Sequence, residues 1–138
     1  MDPLYWAALL SFIAGVFGYI IARFWIVPIG RYRRTKKQLH QELAVYRRSL
    51  PADDNSRLKP GTDNPHLLQI RQLGLKLVEV HDFDLPYWYR LVLVTRKESP
   101  QEAFDPIQRL ANMPSVHQAS QCIERINQHL GATRSANT

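Results

Sequence analysis

The N-terminal part of the chain is a nearly continuous run of apolar residues. Residues 3–22 contain no charged side chain, and apolar residues resume after Arg23 until Pro28 and Gly30. Twenty helical residues rise about 30 Å, which is the thickness of the hydrocarbon core of a bilayer. Aromatic residues typical of the membrane interface flank this run: Tyr5, Trp6, Trp25 and Tyr32. The pattern predicts a transmembrane helix within residues 1–30, because a cleaved signal peptide has a basic start and a shorter apolar run.

A polar helix is predicted directly after this segment. Residues 31–50 lack Gly and Pro, and strong helix formers dominate them. Apolar residues recur there at intervals of four, three and four, which is the spacing of a short coiled-coil seam: Leu39, Leu43, Tyr46 and Leu50. Residues 31–50 are therefore predicted to be a basic amphipathic stalk that packs either on a partner or on the protein's own domain.

A flexible linker is predicted at residues 51–65, which contain three prolines, a glycine and many polar turn formers. Asp63 or Asn64 can then cap a helix with Pro65 at its first position. Gly74 suits the left-handed residue that ends a helix. This helix would open a small domain over residues 66–131.

Two runs in the middle of that domain have the composition of β-strands. Residues 75–80 are rich in branched side chains, and residues 87–96 alternate in a two-residue period. The alternation would place four side chains on one face of a strand: Tyr87, Tyr89, Leu91 and Leu93. Residues 81–86 would form the hairpin connection. An all-helical alternative, with residues 66–80 and 87–97 both helical, stays open.

Two capping boxes predict the last two helices. Ser99 and Glu102 form the first, and Ser115 and Gln118 form the second, which leads a helix ended by Gly131. Residues 132–138 form a polar, frayed tail. The predicted fold is a single transmembrane helix plus a small α+β domain with the order helix, strand, strand, helix, helix; the alternative is an all-α domain.

Charge is concentrated in the stalk. Lys and Arg total 18 against 12 Asp and Glu, which gives a net charge of +6. Residues 31–50 hold seven bases and one acid, whereas residues 1–30 and 51–138 each sum to zero. Short basic flanks stay in the cytoplasm, so we expect the N terminus outside a cell membrane and the domain inside. The residues expected to set this topology and to contact anionic lipids are Arg31, Arg33, Arg34, Lys36 and Lys37.

The sequence contains little that indicates catalysis. It has no phosphate-binding glycine loop, nucleophile elbow or paired-cysteine motif, and its single cysteine excludes a disulfide scaffold. The best cluster of polar side chains is His81, Asp82 and Asp84, which we expect to cap a solvated turn rather than bind a metal. We therefore predict no cofactor, no metal and no catalytic residue.

Two surfaces are predicted to bind other proteins. Small residues spaced by about four form a stripe on the transmembrane helix and would permit close helix packing: Ala7, Ser11, Ala14, Gly15, Gly18 and Ala22. In the soluble part, the predicted contact residues are the stalk seam and an aromatic string beside an arginine: Leu39, Leu43, Tyr46, Tyr87, Trp88, Tyr89 and Arg90.

The function class that fits these features is a non-enzymatic, single-pass membrane protein. It would be an accessory, assembly or adaptor subunit whose partners are other membrane subunits or a second copy. The alternative is a membrane-tethered nucleic-acid-binding protein, although the zero net charge of residues 51–138 argues against nucleic acid as a partner. A membrane-tethered enzyme using His81 and Asp84 ranks third.

Overall fold

A computed structural model describes residues 2–53, 57–58 and 64–131, and this part of the chain consists of helices and loops without a β-strand. Two helices carry π-helical turns at one end, over Ala22–Ile26 and Val80–Asp84. The α-helices are α1 (Pro3–Ile21), α2 (Val27–Ser49), α3 (Pro65–Glu79), α4 (Tyr87–Thr95), α5 (Pro100–Leu110) and α6 (Val116–His129).

The first two helices form one unbroken helix. It runs from Pro3 to Ser49 over 47 residues, which corresponds to a length of about 70 Å. The junction is π-helical, since the Val27 amide donates to the Ala22 carbonyl five residues earlier. Pro28, which has no amide hydrogen to donate, follows at once. The chain thus passes from an apolar to a polar segment without a hinge loop.

The two halves of this long helix differ completely in burial. No residue of α1 is buried, whereas α2 packs against α3, the second π-helical turn and α6. The buried residues of α2 follow helical spacing: Tyr32, Thr35, Leu39, Leu43 and Tyr46. The predicted stalk is therefore a core helix of the chain's own domain.

The predicted strand at residues 75–80 is wrong, because α3 continues through Gly74 to Glu79. Gly74 does not end the helix. Instead, it lets α5 approach closely, since a Cβ at Gly74 would lie 3.1 Å from Ile107 Cδ1. The buried positions of α3 follow a helical rather than a two-residue period: Leu67, Ile70, Gly74 and Leu77. The predicted start is confirmed, since Asn64 Oδ1 accepts from the His66 amide at 3.1 Å.

The predicted strand at residues 87–96 is also wrong, since residues 87–95 form α4. Tyr89 and Leu93, one helical turn apart, are buried, whereas Tyr87 and Leu91 are exposed. The predicted hairpin at residues 81–86 is instead a π-helical turn followed by the buried Leu85. The two-residue alternation that predicted a strand is not decisive, because nearly every position of residues 87–95 is apolar or aromatic. Packing therefore decides between helix and strand. The α+β fold is therefore wrong, and the all-α alternative is confirmed.

The last two helices begin where the capping boxes predict. Ser115 Oγ accepts from the Gln118 amide at 3.4 Å, whereas the Ser99 side chain makes no capping hydrogen bond. Gly131, with φ of +70°, follows the end of α6. Cys122 Sγ in α6 donates to the Pro106 carbonyl of α5 at 3.0 Å, so the single thiol stabilises the contact between these helices.

Most of the predicted linker and the whole predicted tail, residues 132–138, lie outside the described residues, as does the alternative cap Asp63. Within the linker, Arg57 forms an isolated β-bridge with Ser115. The Leu58 amide donates to the Pro114 carbonyl at 3.0 Å, and the Leu58 side chain packs against the core. Part of the predicted linker is thus attached to the α5–α6 loop.

Candidate functional site

The apolar helix α1 presents its whole surface outward. It belongs to the helix Pro3–Ser49, which is the one helix in the described residues that could cross a membrane by length and composition. The predicted stripe lies open on it: Ala7, Ser11, Ala14, Gly15, Gly18 and Ala22 are all exposed. A Cβ added at Gly15 or Gly18 would meet nothing within 4 Å. The chain itself therefore leaves room for another helix along this stripe.

A series of aromatic rings connects the end of the apolar segment to the core. The ring centroids of Trp25 and Trp88 are 5.8 Å apart in an edge-on arrangement. Trp88 contacts Tyr89 at 5.7 Å, and Tyr89 contacts Tyr32 of α2 at 6.3 Å, again edge-on. Such pairs are favourable ring geometries. These contacts place α4 beside the junction of α1 and α2.

A groove of about 460 Å³ separates α4 from the start of α2. Apolar side chains from both helices form much of its walls, including Ile26, Ile29, Trp88 and Val92. Arg33 of α2 and Arg96, which follows α4, also line it. We call this space, with Gly30 and Tyr89 at its sides, the junction groove.

The five bases predicted to set topology have different surroundings. Arg33, Arg34 and Lys37 are exposed. Arg31 is also exposed, and its guanidinium lies 4.0 Å from the Asp84 carboxylate. Lys36 Nζ lies 2.7 Å from Glu98 Oε2, with only 20% and 9% of the two side chains exposed. Lys36 is therefore a structural residue of the domain.

The predicted partner-binding residues do not form one surface. Leu39, Leu43, Tyr46 and Tyr89 are buried in the chain's own core. Arg90 Nε donates to the Leu85 carbonyl at 3.2 Å. Only Tyr87 and Trp88 of this set expose much of their side chains, and Trp88 lines the junction groove.

Several buried polar atoms inside the domain are not indicated by any pattern in the sequence. The Tyr32 hydroxyl and His40 Nε2 are buried without a hydrogen-bond partner among the described residues. Burial raises the pKa of Tyr32 and lowers that of His40, whose Nδ1 lies 3.1 Å from Asn127 Oδ1. Burial likewise raises the pKa of Cys122. In each of the three groups, burial favours the uncharged form.

The cluster of His81, Asp82 and Asp84 takes part in local hydrogen bonds and ion pairs. Asp82 Oδ1 lies 2.9 Å from His81 Nδ1 and accepts from the Gln101 side chain at 2.9 Å. In the described part of the chain, no three His, Cys, Asp or Glu residues are placed to hold a metal ion. The cluster fixes the second π-helical turn against α5.

Comparison of the chain with protein-family models, with curated proteins and with solved structures gives no match. The junction groove is thus interpreted from its own chemistry. A helical interpretation of residues 87–97 could have indicated it from sequence. At a spacing of four, Trp88, Val92 and Arg96 fall on one helix face.

Proposed function

We propose that this chain is a single-pass membrane protein that acts as a non-enzymatic accessory, assembly or adaptor subunit of a membrane complex. Helix α1 would cross the membrane, with the N terminus outside. The helical domain would lie at the cytoplasmic face of the cell membrane.

The observation that carries this proposal is the unbroken helix from the exposed apolar α1 into the core helix α2. A core helix of a soluble protein is mostly buried, whereas α1 has no buried residue. If α1 were a signal sequence, its cleavage would cut the continuous helix shortly before Tyr32. Tyr32 belongs to the domain core, where it is 1% exposed. A bilayer is the solvent that suits such an apolar surface.

The orientation rests on charge. Four exposed bases lie within the first turns of α2, namely Arg31, Arg33, Arg34 and Lys37. In the given sequence, no basic side chain precedes the apolar segment, and Asp2 there is acidic. Bases close to the end of a span keep that end in the cytoplasm.

The adaptor role follows from the continuous helix that joins the apolar segment to the domain. No loop lies between them, so a partner that binds α1 would be held at a set position along the chain from the domain. The small-residue stripe offers the membrane face for such a partner, since helices in lipid associate by close backbone packing.

Orientation is tested with a reporter fused after residue 138. Membrane integration is tested by extracting membranes at alkaline pH. We expect an integral protein with a cytoplasmic reporter. Neutralising Arg31, Arg33, Arg34 and Lys37 together should give mixed orientation. Extraction of the parent protein by alkali would contradict the membrane proposal, and an unchanged orientation of the variant would contradict its charge argument.

The accessory role is tested by affinity capture from gently solubilised membranes. Gly15→Leu combined with Gly18→Leu should lose a partner, because the added side chains block close approach at the stripe. The control is Val16→Leu combined with Ile20→Leu, which places two leucines on the opposite face of the helix. Equal capture of all partners by the parent and the glycine variant would contradict a role for the stripe.

A second candidate function, binding of nucleic acid at the membrane, is supported by the exposed bases along α2. These bases extend over about 22 Å of helix: Arg33, Arg34, Lys37, Arg47 and Arg48. The test is binding of a single-stranded oligonucleotide by the full chain in neutral detergent. Binding that weakens steeply with salt, and that Arg47→Gln with Arg48→Gln weakens further, would favour this candidate.

A further inference from the structure

We infer that the junction groove binds the headgroup region of an anionic phospholipid from the leaflet next to the domain. The inference rests on the proposed membrane insertion of α1, and it adds a specific ligand class to that proposal. Three independent features support it: the position of the groove, its order of polarity and the charge of its lining.

The groove begins where the apolar segment ends. Ile26, which lines it, belongs to the last turn before α2. Trp88 of α4 contacts Trp25 at this end of the apolar segment, with ring centroids 5.8 Å apart. Trp side chains favour the interface between hydrocarbon and water. The groove therefore adjoins the end of the apolar segment, which would lie at the membrane surface.

The polarity of the groove changes along its length in the order of a phospholipid. Helix α4 runs alongside α2 in the same direction, because one contact joins them at each end. Trp88, at the start of α4, contacts Trp25 just before α2. Glu98, shortly after α4, contacts Lys36 further along α2. Arg33 is seven residues after Ile26, or about 10 Å along α2. Arg96 is eight residues after Trp88, which corresponds to about 12 Å along a helix. Ile26 and Trp88 therefore line the part of the groove nearest α1, and Arg33 and Arg96 line the part further along α2 and α4.

The charge of the lining suits a phosphate. Arg33 and Arg96 have no ion-pair partner among the described residues, in contrast to Lys36, and no acidic side chain lines the groove. Guanidinium groups bind phosphate oxygens in a bidentate manner. The volume of about 460 Å³ lies within the usual range of ligand sites.

The first test measures lipid binding by the full chain in neutral detergent, using native mass spectrometry with phosphatidylglycerol and, as the neutral lipid, phosphatidylcholine. We expect tighter binding of phosphatidylglycerol. Each base near an anionic headgroup contributes ~1 kcal/mol, or about fivefold in affinity. Arg33→Gln combined with Arg96→Gln should therefore weaken phosphatidylglycerol binding about 25-fold.

The matched control is Arg47→Gln combined with Arg48→Gln. It removes the same charge from exposed positions of α2, about 20 Å further along the helix, which is beyond one Debye length at physiological salt. We expect less than a twofold change. Equal weakening by both pairs would overturn the inference, because it would show attraction to net charge rather than a site.

The second test fills the groove without changing its charge. A Cβ at Gly30 would meet nothing within 4 Å, and Leu is a better helix former than Gly, so Gly30→Leu should fold. We expect it to lose selective phosphatidylglycerol binding while keeping the thermal stability of the parent. Retained binding by a folded Gly30→Leu would overturn the inference.

Two competitors identify the ligand class. Neither glycerol phosphate nor a single-stranded oligonucleotide should displace phosphatidylglycerol, because neither offers an acyl region to the apolar walls. Displacement by either would overturn the assignment to a lipid. A parent protein that stays in the membrane at alkaline pH but binds both lipids equally would refute this inference alone. Release of the parent protein from membranes by alkali would refute the proposed function.

Discussion

The partly buried ion pair between Lys36 and Glu98 allows a quantitative test of the domain packing. The two residues are 62 positions apart, and Lys36 Nζ lies 2.7 Å from Glu98 Oε2. The substitution Lys36→Met removes the charge and keeps an unbranched apolar side chain that is only one atom shorter. It leaves the Glu98 carboxylate, which is 9% exposed, without its counter-charge.

The expected cost follows from burial. Removing one partner of a fully buried ion pair costs about 3–5 kcal/mol, whereas an exposed pair contributes about 0–1 kcal/mol. Since Lys36 keeps 20% of its side chain exposed, we expect a loss of about 2–3 kcal/mol in the free energy of unfolding. For a domain of this size, that loss lowers the Tm by roughly 10–20 °C.

The assay is thermal unfolding of the full chain in detergent, followed by circular dichroism. The control is Arg31→Met, because Arg31 and Asp84 are 4.0 Å apart and 62% and 43% exposed. This control should change the Tm by only a few degrees. Adding Glu98→Gln to Lys36→Met should recover part of the loss, since no charge then stays buried. Equal shifts for Lys36→Met and Arg31→Met would refute the reasoning.

Three further predictions address the helical packing. Leu93 is 1% exposed and Leu91 is 50% exposed. Leu93→Ala should therefore lower the free energy of unfolding by about 2–5 kcal/mol, and Leu91→Ala by less than about 0.5 kcal/mol. Equal losses would favour a strand, which places both side chains on one face. Burial lowers the pKa of His40 below its ordinary value of 6.5. This imidazole therefore binds a proton more readily in the unfolded chain than in the folded one. Stability should therefore fall as pH drops through 6.5, and His40→Gln should flatten a Tm profile recorded from about pH 8 to about pH 5. Gly74→Leu should cost about 1–3 kcal/mol by chemical denaturation, because even a Cβ would lie 3.1 Å from Ile107; a neutral effect would mean that α3 and α5 do not pack closely.

The sequence by itself determined the features that depend on consecutive residues. The apolar run of α1, the bases that follow it and the helix starts at Pro65, Pro100 and Val116 are all local. A cap or an uninterrupted apolar span depends on neighbours along the chain, so no knowledge of distant contacts is needed to identify it.

Tertiary structure decided the conformation and environment of the ambiguous segments. Residues 75–80 and 87–95 have strand-like composition, yet both are helical because packing buries helical positions such as Leu77 and Tyr89. β-Propensity expresses fit to a half-buried surface rather than an intrinsic backbone preference, so context overrides it. The same holds for charge: five bases of one short segment are equivalent in sequence, and only the fold pairs Lys36 with Glu98 while leaving Arg33 exposed beside α4. The junction groove combines residues more than 50 positions apart, and such proximity exists only after the helices have packed.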